Sequence, residues 1–326
     1  MMLVIYGPTA TSKTALAIKL AQKYNGELTS ADSRQVYRGL DIGTGKVSFD
    51  SKIEKHKGFW IVDGVKVNGF DLVNPGRRFS VADFLRFSST TLFRISETNK
   101  LPIVVGGTGF YIKALIDGIE SIGIKPDMNL RRKLEKLNTS DLYQKLFEVD
   151  PKRAQAMNES DRQNPRRLIR AIEIAIHKRS TSEESPSTSL RASKPTSEVF
   201  YGQLSDVNCL IVGLTAPNNY LYHRSDQWLE GRLSHGLIDE IKNLLNQKVS
   251  PLWLDNLGLE YRWLTRYLLG KVTKEEAIIR LKGDIHNFIR RQKTWFKKFP
   301  KIKLFDISQP NWQTKLENRI LLLLRQ

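Results

Sequence analysis

Residues 3–14, Leu-Val-Ile-Tyr-Gly-Pro-Thr-Ala-Thr-Ser-Lys-Thr, join a short apolar run to a loop that starts at Gly7 and ends in Lys13-Thr14. Ala15 to Ala21 follows with apolar residues at helical spacing, which predicts a helix lying back on a sheet. Strand, tight loop and helix in that order point to a parallel sheet with helical crossovers. The same order builds an anion site. Backbone N–H groups of the loop and of the helix's first turn point into one concavity, Lys13 bridges phosphate oxygens, and the Thr14 hydroxyl can hold Mg²⁺. Gly7, Pro8, Thr9, Ala10, Thr11, Ser12, Lys13 and Thr14 are therefore the expected diphosphate-binding residues, with Thr14 the expected metal ligand. Ser12 stands where the pattern G-x-x-x-x-G-K-[ST] has its second glycine, so its side chain either crowds the phosphate or donates a hydroxyl to it.

At 326 residues the chain can bury a large core, and its apolar fraction of 40% and charged fraction of 26% are those of a globular protein. No uninterrupted apolar run approaches a membrane span, and the residues a secretory signal would occupy form the loop. A single cysteine, Cys209, lies in an apolar run and reads as a buried structural thiol. The expected compartment is the cytoplasm, with no membrane association. A net charge of +18 points to a polyanion partner where it coincides with basic motifs.

Alternating strand and helix signals continue with strands near 27–30 and 102–105, a hairpin over 58–71 around Asp63-Gly64, and a helix over 79–98 capped by Ser80. Ligands of such a sheet lie beyond the carboxyl ends of its strands, which is where Thr9, Asp32 and Thr108 fall. From about Asp127 to Lys178 charged amphipathic helices take over, and 180–197 is a Ser/Thr/Pro-rich linker. The expected organisation is a catalytic core over 1–118 and 199–326, interrupted by a helical insertion over 119–198. Strands are expected again at 209–214 and 301–307.

Asp32 follows the second strand and is either a general base or a helix N-cap, which position alone leaves open. The strand 103–105 ends in glycines where many ATP-hydrolysing phosphate-loop proteins place a metal-binding aspartate, which weakens phosphoryl transfer as a reading. Arg166, Arg167 and Arg170 form one basic helix face, suited to a phosphate backbone or simply to water. A second cluster, Arg290-Arg291-Gln292-Lys293-Thr294-Trp295-Phe296-Lys297, ends a long helix whose apolar stripe, Trp295 included, is expected to face the core.

Six motifs in order, GPTATSKT (7–14), SADSRQVYRGLDIGTGK (30–46), FSVADF (79–84), LPIVVGGTGFYIKAL (101–115), RRLIRAIEI (166–174) and RRQKTWFKKF (290–299), resemble those of the bacterial tRNA dimethylallyltransferases, a tRNA isopentenyltransferase family. The resemblance covers nearly the whole chain. It implies an α/β fold with a phosphate-loop NTPase-like parallel sheet core and a helical tRNA-binding insertion. The implied reaction moves a dimethylallyl group from dimethylallyl diphosphate to N6 of adenosine 37 beside the tRNA anticodon, with Mg²⁺. The sequence does not specify an oligomeric state, and a monomer is the expectation. Catalytic positions under this resemblance are Asp32, Thr9, Lys13 and Arg224. Contacts to the tRNA anticodon stem-loop fall on Asp32, Ser33, Arg34, Gln35, Thr108, Arg131, Arg166, Arg167, Leu168, Ile169, Arg170 and residues 290–297. Trp228 stands where family members commonly carry a second arginine. The competing readings are an isopentenyltransferase acting on free AMP, ADP or ATP, a phosphate-loop kinase or ATPase, and an RNA-binding protein with a vestigial loop.

Overall fold

The computed structural model describes residues 1–119, 121–183 and 208–324. The chain divides into two compact units, Met1–Gly118 with Thr196–Gln326 and Ile119–Pro195. Among the described residues the first unit carries one eight-stranded sheet: β1 (Met2–Tyr6), β2 (Gly26–Ser30), β3 (Ile53–His56), β4 (Phe59–Val62), β5 (Val65–Asn68), β6 (Leu101–Gly106), β7 (Cys209–Thr215) and β8 (Lys303–Asp306). Its order is β3-β4-β5-β2-β6-β1-β7-β8. The six strands from β5 to β8 run parallel, while β3, β4 and β5 close one edge as an antiparallel meander. β1 and β6 are buried along their whole length, as a strand covered on both faces requires.

The crossovers follow from local chemistry. Helix α1 (Lys13–Lys23) turns Ala17, Ile18, Leu20 and Ala21 to the sheet. Helix α2 (Val81–Glu97) starts at a capping box in which Ser80 accepts from the Asp83 N–H and Asp83 accepts from the Ser80 N–H. The β4–β5 hairpin turns at Asp63 and Gly64, both with positive φ (49° and 81°), as a two-residue type I′ turn demands. Edge strand β3 was not expected, because all four of its residues are exposed and leave no alternation to read. Helix α3 (Gly109–Asp117) follows β6.

The second unit is helical: α4 (Met128–Leu134), α5 (Thr139–Val149), α6 (Pro151–Gln155), α7 (Glu159–Arg162) and α8 (Pro165–Glu183). Leu134, Leu142, Leu146, Ala154, Met157, Leu168, Ile169 and Ile172 form its core. From residue 184 the expected Ser/Thr/Pro-rich linker lies outside the described residues. The chain re-enters the sheet at β7, where Cys209 is half-buried and burial pushes its thiol up to about 12. Helices α9 (Asn218–Ser234), α10 (Leu237–Asn246), α11 (Pro251–Leu257), α12 (Leu259–Leu268), α13 (Lys274–Thr294) and α14 (Trp312–Leu324) complete the first unit. No described helix is long and apolar enough to cross a membrane.

Residues 31–52 carry no helix or strand, yet their backbone is fixed from two sides. Lys46, 0% exposed, donates to the Tyr37 carbonyl (2.8 Å), Asp41 Oδ1 (2.7 Å) and Asp71 Oδ1 (2.5 Å). Glu240 of α10 accepts the consecutive N–H groups of Asp41, Ile42 and Gly43 at 2.8, 2.6 and 3.0 Å.

Candidate active site

The loop between β1 and α1 is a strained turn. A Cβ on Gly7 would meet Thr11 Oγ1 at 2.9 Å and the Leu214 carbonyl at 3.0 Å, so this close approach needs glycine. Ala10 (φ 69°) and Ser12 (φ 54°) are left-handed without being glycine, each at a cost of about 1–2 kcal/mol. The buried Thr11 hydroxyl donates to the Pro8 carbonyl (2.8 Å) and holds the turn. Lys13 Nζ reaches the same carbonyl at 3.4 Å. Burial pushes the Lys13 ammonium below its ordinary range; the Asp32 carboxylate pulls it upward and the Arg232 guanidinium lowers it further. From α9, Arg224 donates through Nε to the Ala10 carbonyl (3.0 Å) and through Nη2 to Ser12 Oγ (2.8 Å).

Beside this loop lies a cavity of about 300 Å³. Thr9 and Asp32 face it from the ends of β1 and β2, and Thr108 from the end of β6. Gly43, Thr44, Trp228, Leu259, Glu260, Ile285, Phe288, Arg291 and Trp295 supply the remaining wall, with Ser33, Arg34, Gly107, Gly109, Phe110 and Gln292. Asp32 caps no helix, because β2 leads into residues 31–52, where no helix begins. Its Oδ1 accepts from the Arg34 N–H (2.9 Å) in a tight turn. The turn is tied to the loop between β6 and α3 by the Ser33 N–H donating to Thr108 Oγ1 at 3.0 Å. The glycines at the end of β6 and the start of α3 serve packing: a Cβ on Gly106 would lie 2.2 Å from the Ala31 carbonyl oxygen, and one on Gly109 would lie 2.5 Å from the Trp295 ring. Beyond the strand ends, Ser33, Arg34, Arg291, Gln292 and Trp295 of the wall are among the residues expected to contact tRNA, and helical periodicity marks Ile285 and Trp295 only as core. Leu259, Glu260 and Phe288 carry no signal in the sequence.

A family model described as IPP transferase matches residues 35–299. The chain belongs to the IPP transferase family. Among curated members, the tRNA dimethylallyltransferase of Thermomicrobium roseum is 33% identical over 99% of this chain and 91% of its own. That of Carboxydothermus hydrogenoformans is 35% identical over 98% and 96%. Among solved structures, the tRNA isopentenylpyrophosphate transferase of Bacillus halodurans aligns with a TM-score of 0.66 at 32% identity, covering 99% of this chain and 95% of that one. A eukaryotic dimethylallyltransferase described as acting on tRNA aligns with a TM-score of 0.72 at 24% identity and shares the fold.

Within this IPP transferase several residues expected to contact tRNA make hydrogen bonds inside the protein. Gln292 is 4% exposed; its carbonyl oxygen Oε1 accepts from the Thr9 N–H (2.9 Å), and its Nε2 donates to the Gly107 carbonyl (2.9 Å). It bridges two of the strand-end loops that face the cavity. Gln35, 8% exposed, accepts from Ser30 and donates to the Thr44 and Gly45 carbonyls. Arg34 donates to the Leu257 carbonyl at 2.7 Å. Lys293 is engaged with the Ala216 carbonyl and Asn218, and Arg290 with Tyr222 and Asn287. Arg291, Thr294 and Lys297 are exposed, while Trp295 and Phe296 are half-buried. Trp295 stands at the cavity wall, packed on Gly109, rather than in the core.

In the helical unit Leu168 and Ile169 are 0% and 6% exposed and their side chains belong to its core. Arg131 grips Glu173 with Nε (2.7 Å) and Nη2 (2.6 Å), and Arg170 donates to Glu173 (3.2 Å) and to the Ser121 and Ile124 carbonyls. Arg167 pairs with Asp161 while more than half exposed, and Arg166 is exposed.

Proposed function

We propose that the chain transfers a dimethylallyl group from dimethylallyl diphosphate to N6 of adenosine 37 in tRNA and releases diphosphate. The observation that carries this reading is that Thr9 of the phosphate-binding loop and the Asp32 carboxylate face one cavity, in a chain whose relatives are named for this reaction. The N6 lone pair is delocalised into the adenine ring and is a weak nucleophile. As it attacks the allylic C1, the C1–O bond breaks and N6 loses a proton. Asp32 accepts that proton. Charge gathers on the departing diphosphate, where loop amides, Lys13 and Arg224 receive it and Thr9 donates to the leaving oxygen.

Among the described residues no group of three or more His, Cys, Asp or Glu could hold a metal alone. The hard hydroxyl oxygen of Thr14, in the first turn of α1, therefore suits a Mg²⁺ that takes most of its ligands from diphosphate oxygens and water. Bound there, Mg²⁺ supplies neutralisation of the leaving group's charge. Adenosine 37 has to leave its stack to enter a cavity of this size. Among the basic residues assigned to tRNA, Arg166, Arg167, Arg290, Arg291 and Lys297 are exposed and support contact with an RNA backbone, in line with the charge of +18. A monomer acting in the cytoplasm fits this reading.

The test is an acceptor comparison. Incubated with labelled dimethylallyl diphosphate and Mg²⁺, the protein is expected to label unmodified tRNA and to leave AMP unlabelled. Label on AMP alone, or phosphate release from ATP with neither acceptor labelled, contradicts the proposal.

A further inference from the structure

Ser12 occupies the N-cap position of α1, where a serine ordinarily turns its hydroxyl back onto the N–H groups of the first turn. Here it makes no such bond. Its left-handed backbone (φ 54°, ψ 28°) carries the side chain outward, and Oγ accepts from Arg224 Nη2 at 2.8 Å. We propose that Ser12 is a positioning residue: its hydroxyl, together with the Ala10 carbonyl, holds the Arg224 guanidinium at the mouth of the phosphate-binding loop before the diphosphate arrives. The inference rests on the loop's assignment as a diphosphate site and adds what the departure from glycine does there.

Two consequences of the geometry support it. First, because Ser12 does not cap α1, the first-turn N–H groups are left to an anion. Second, a guanidinium carries five N–H donors in a rigid fork. The contacts to Ala10 and Ser12 use two of these and fix the plane of the fork, which leaves three for phosphate oxygens. Without the hydroxyl, only the Ala10 contact would hold Arg224 to the loop, and the side chain would have to be ordered on binding. A left-handed serine is also a costly choice where glycine adopts the same backbone freely, so the position carries a side chain at the expense of strain.

The experiment measures the dissociation constant of inorganic pyrophosphate with Mg²⁺ by calorimetry, in wild type, Ser12→Ala, Ser12→Gly, Arg224→Ala and the Ser12→Ala/Arg224→Ala double variant. Ser12→Ala is expected to weaken binding by roughly fivefold to tenfold, the loss of one hydrogen bond to a charged group. Ser12→Gly should lose about as much, although it relaxes the backbone. In the Arg224→Ala background, Ser12→Ala should cost less than about twofold, since the hydroxyl then has nothing to hold. Equal losses in both backgrounds, no loss in Ser12→Ala, or tighter binding by Ser12→Gly would each overturn the positioning role while leaving the loop's assignment intact. Failure of the wild-type protein to bind pyrophosphate would remove that assignment, and this inference with it.

Discussion

Asp32→Asn is expected to lower kcat for transfer to tRNA by about 10²–10⁴-fold, the usual worth of a positioned general base. Asparagine has nearly the shape of aspartate, and its side-chain oxygen can still accept from the Arg34 N–H, so the turn that now depends on Asp32 Oδ1 survives. What it lacks is the ability to take a proton. The substitution therefore separates chemistry from architecture: KM for dimethylallyl diphosphate and the affinity for tRNA should stay within about threefold of wild type while turnover collapses. Retained turnover would reduce Asp32 to a turn-forming residue. A parallel loss of both affinities would mean that it organises the site rather than reacting in it.

Lys46→Met is expected to cost about 3–5 kcal/mol of stability, because it leaves carboxylates at Asp41 and Asp71 without the buried cation that compensates them. At Asp41 burial works to raise the carboxyl pKa, but the Lys46 and Lys55 ammonium groups outweigh it and hold the pKa below the ordinary value of 3.8. The sign follows from that depression. Asp41 contributes stability above its unfolded pKa, and the contribution is lost as pH falls through the folded one. The gap in melting temperature between wild type and variant should therefore be large at neutral pH, of order 10 °C, and narrow in acid as Asp41 is neutralised. Thermal unfolding at several pH values measures this directly. A gap that persists unchanged in acid would show that methionine disturbs packing rather than charge.

The parts of this molecule that were legible in the sequence are those whose cause is local. The loop 7–14, the hairpin turn at Asp63-Gly64 and the Ser80 cap are each specified within a few residues, and the structure places them as expected; it adds the type I′ geometry and the Asp83 half of the capping box. Strand β3 escaped because an exposed edge strand has no buried face and hence no alternation. Asp32 looked like an N-cap candidate because strands of this sheet usually lead into helices. Here β2 leads into a long irregular segment held by Lys46 and Glu240, partners found only once the chain is folded. The surroundings of the basic clusters depend on the fold in the same way. Whether an arginine is available depends on a carboxylate elsewhere, and Glu173 takes both Arg131 and Arg170. Within a helix, a motif run such as 166–170 also mixes faces, so Leu168 and Ile169 go to the core while Arg166 stays exposed.

The account's central claim is spatial: an allylic diphosphate on the loop at 7–14 and the target adenine must meet at Asp32. A crystal structure of the protein with a non-reactive thiolodiphosphate analogue, Mg²⁺ and an anticodon stem-loop tests it most directly. The account predicts diphosphate oxygens on the loop amides, Lys13 and Arg224, and an extruded adenine whose N6 lies within about 3.2 Å of the Asp32 carboxylate. An adenine still stacked in the RNA, or N6 held by another residue with Asp32 turned away from it, would contradict the claim.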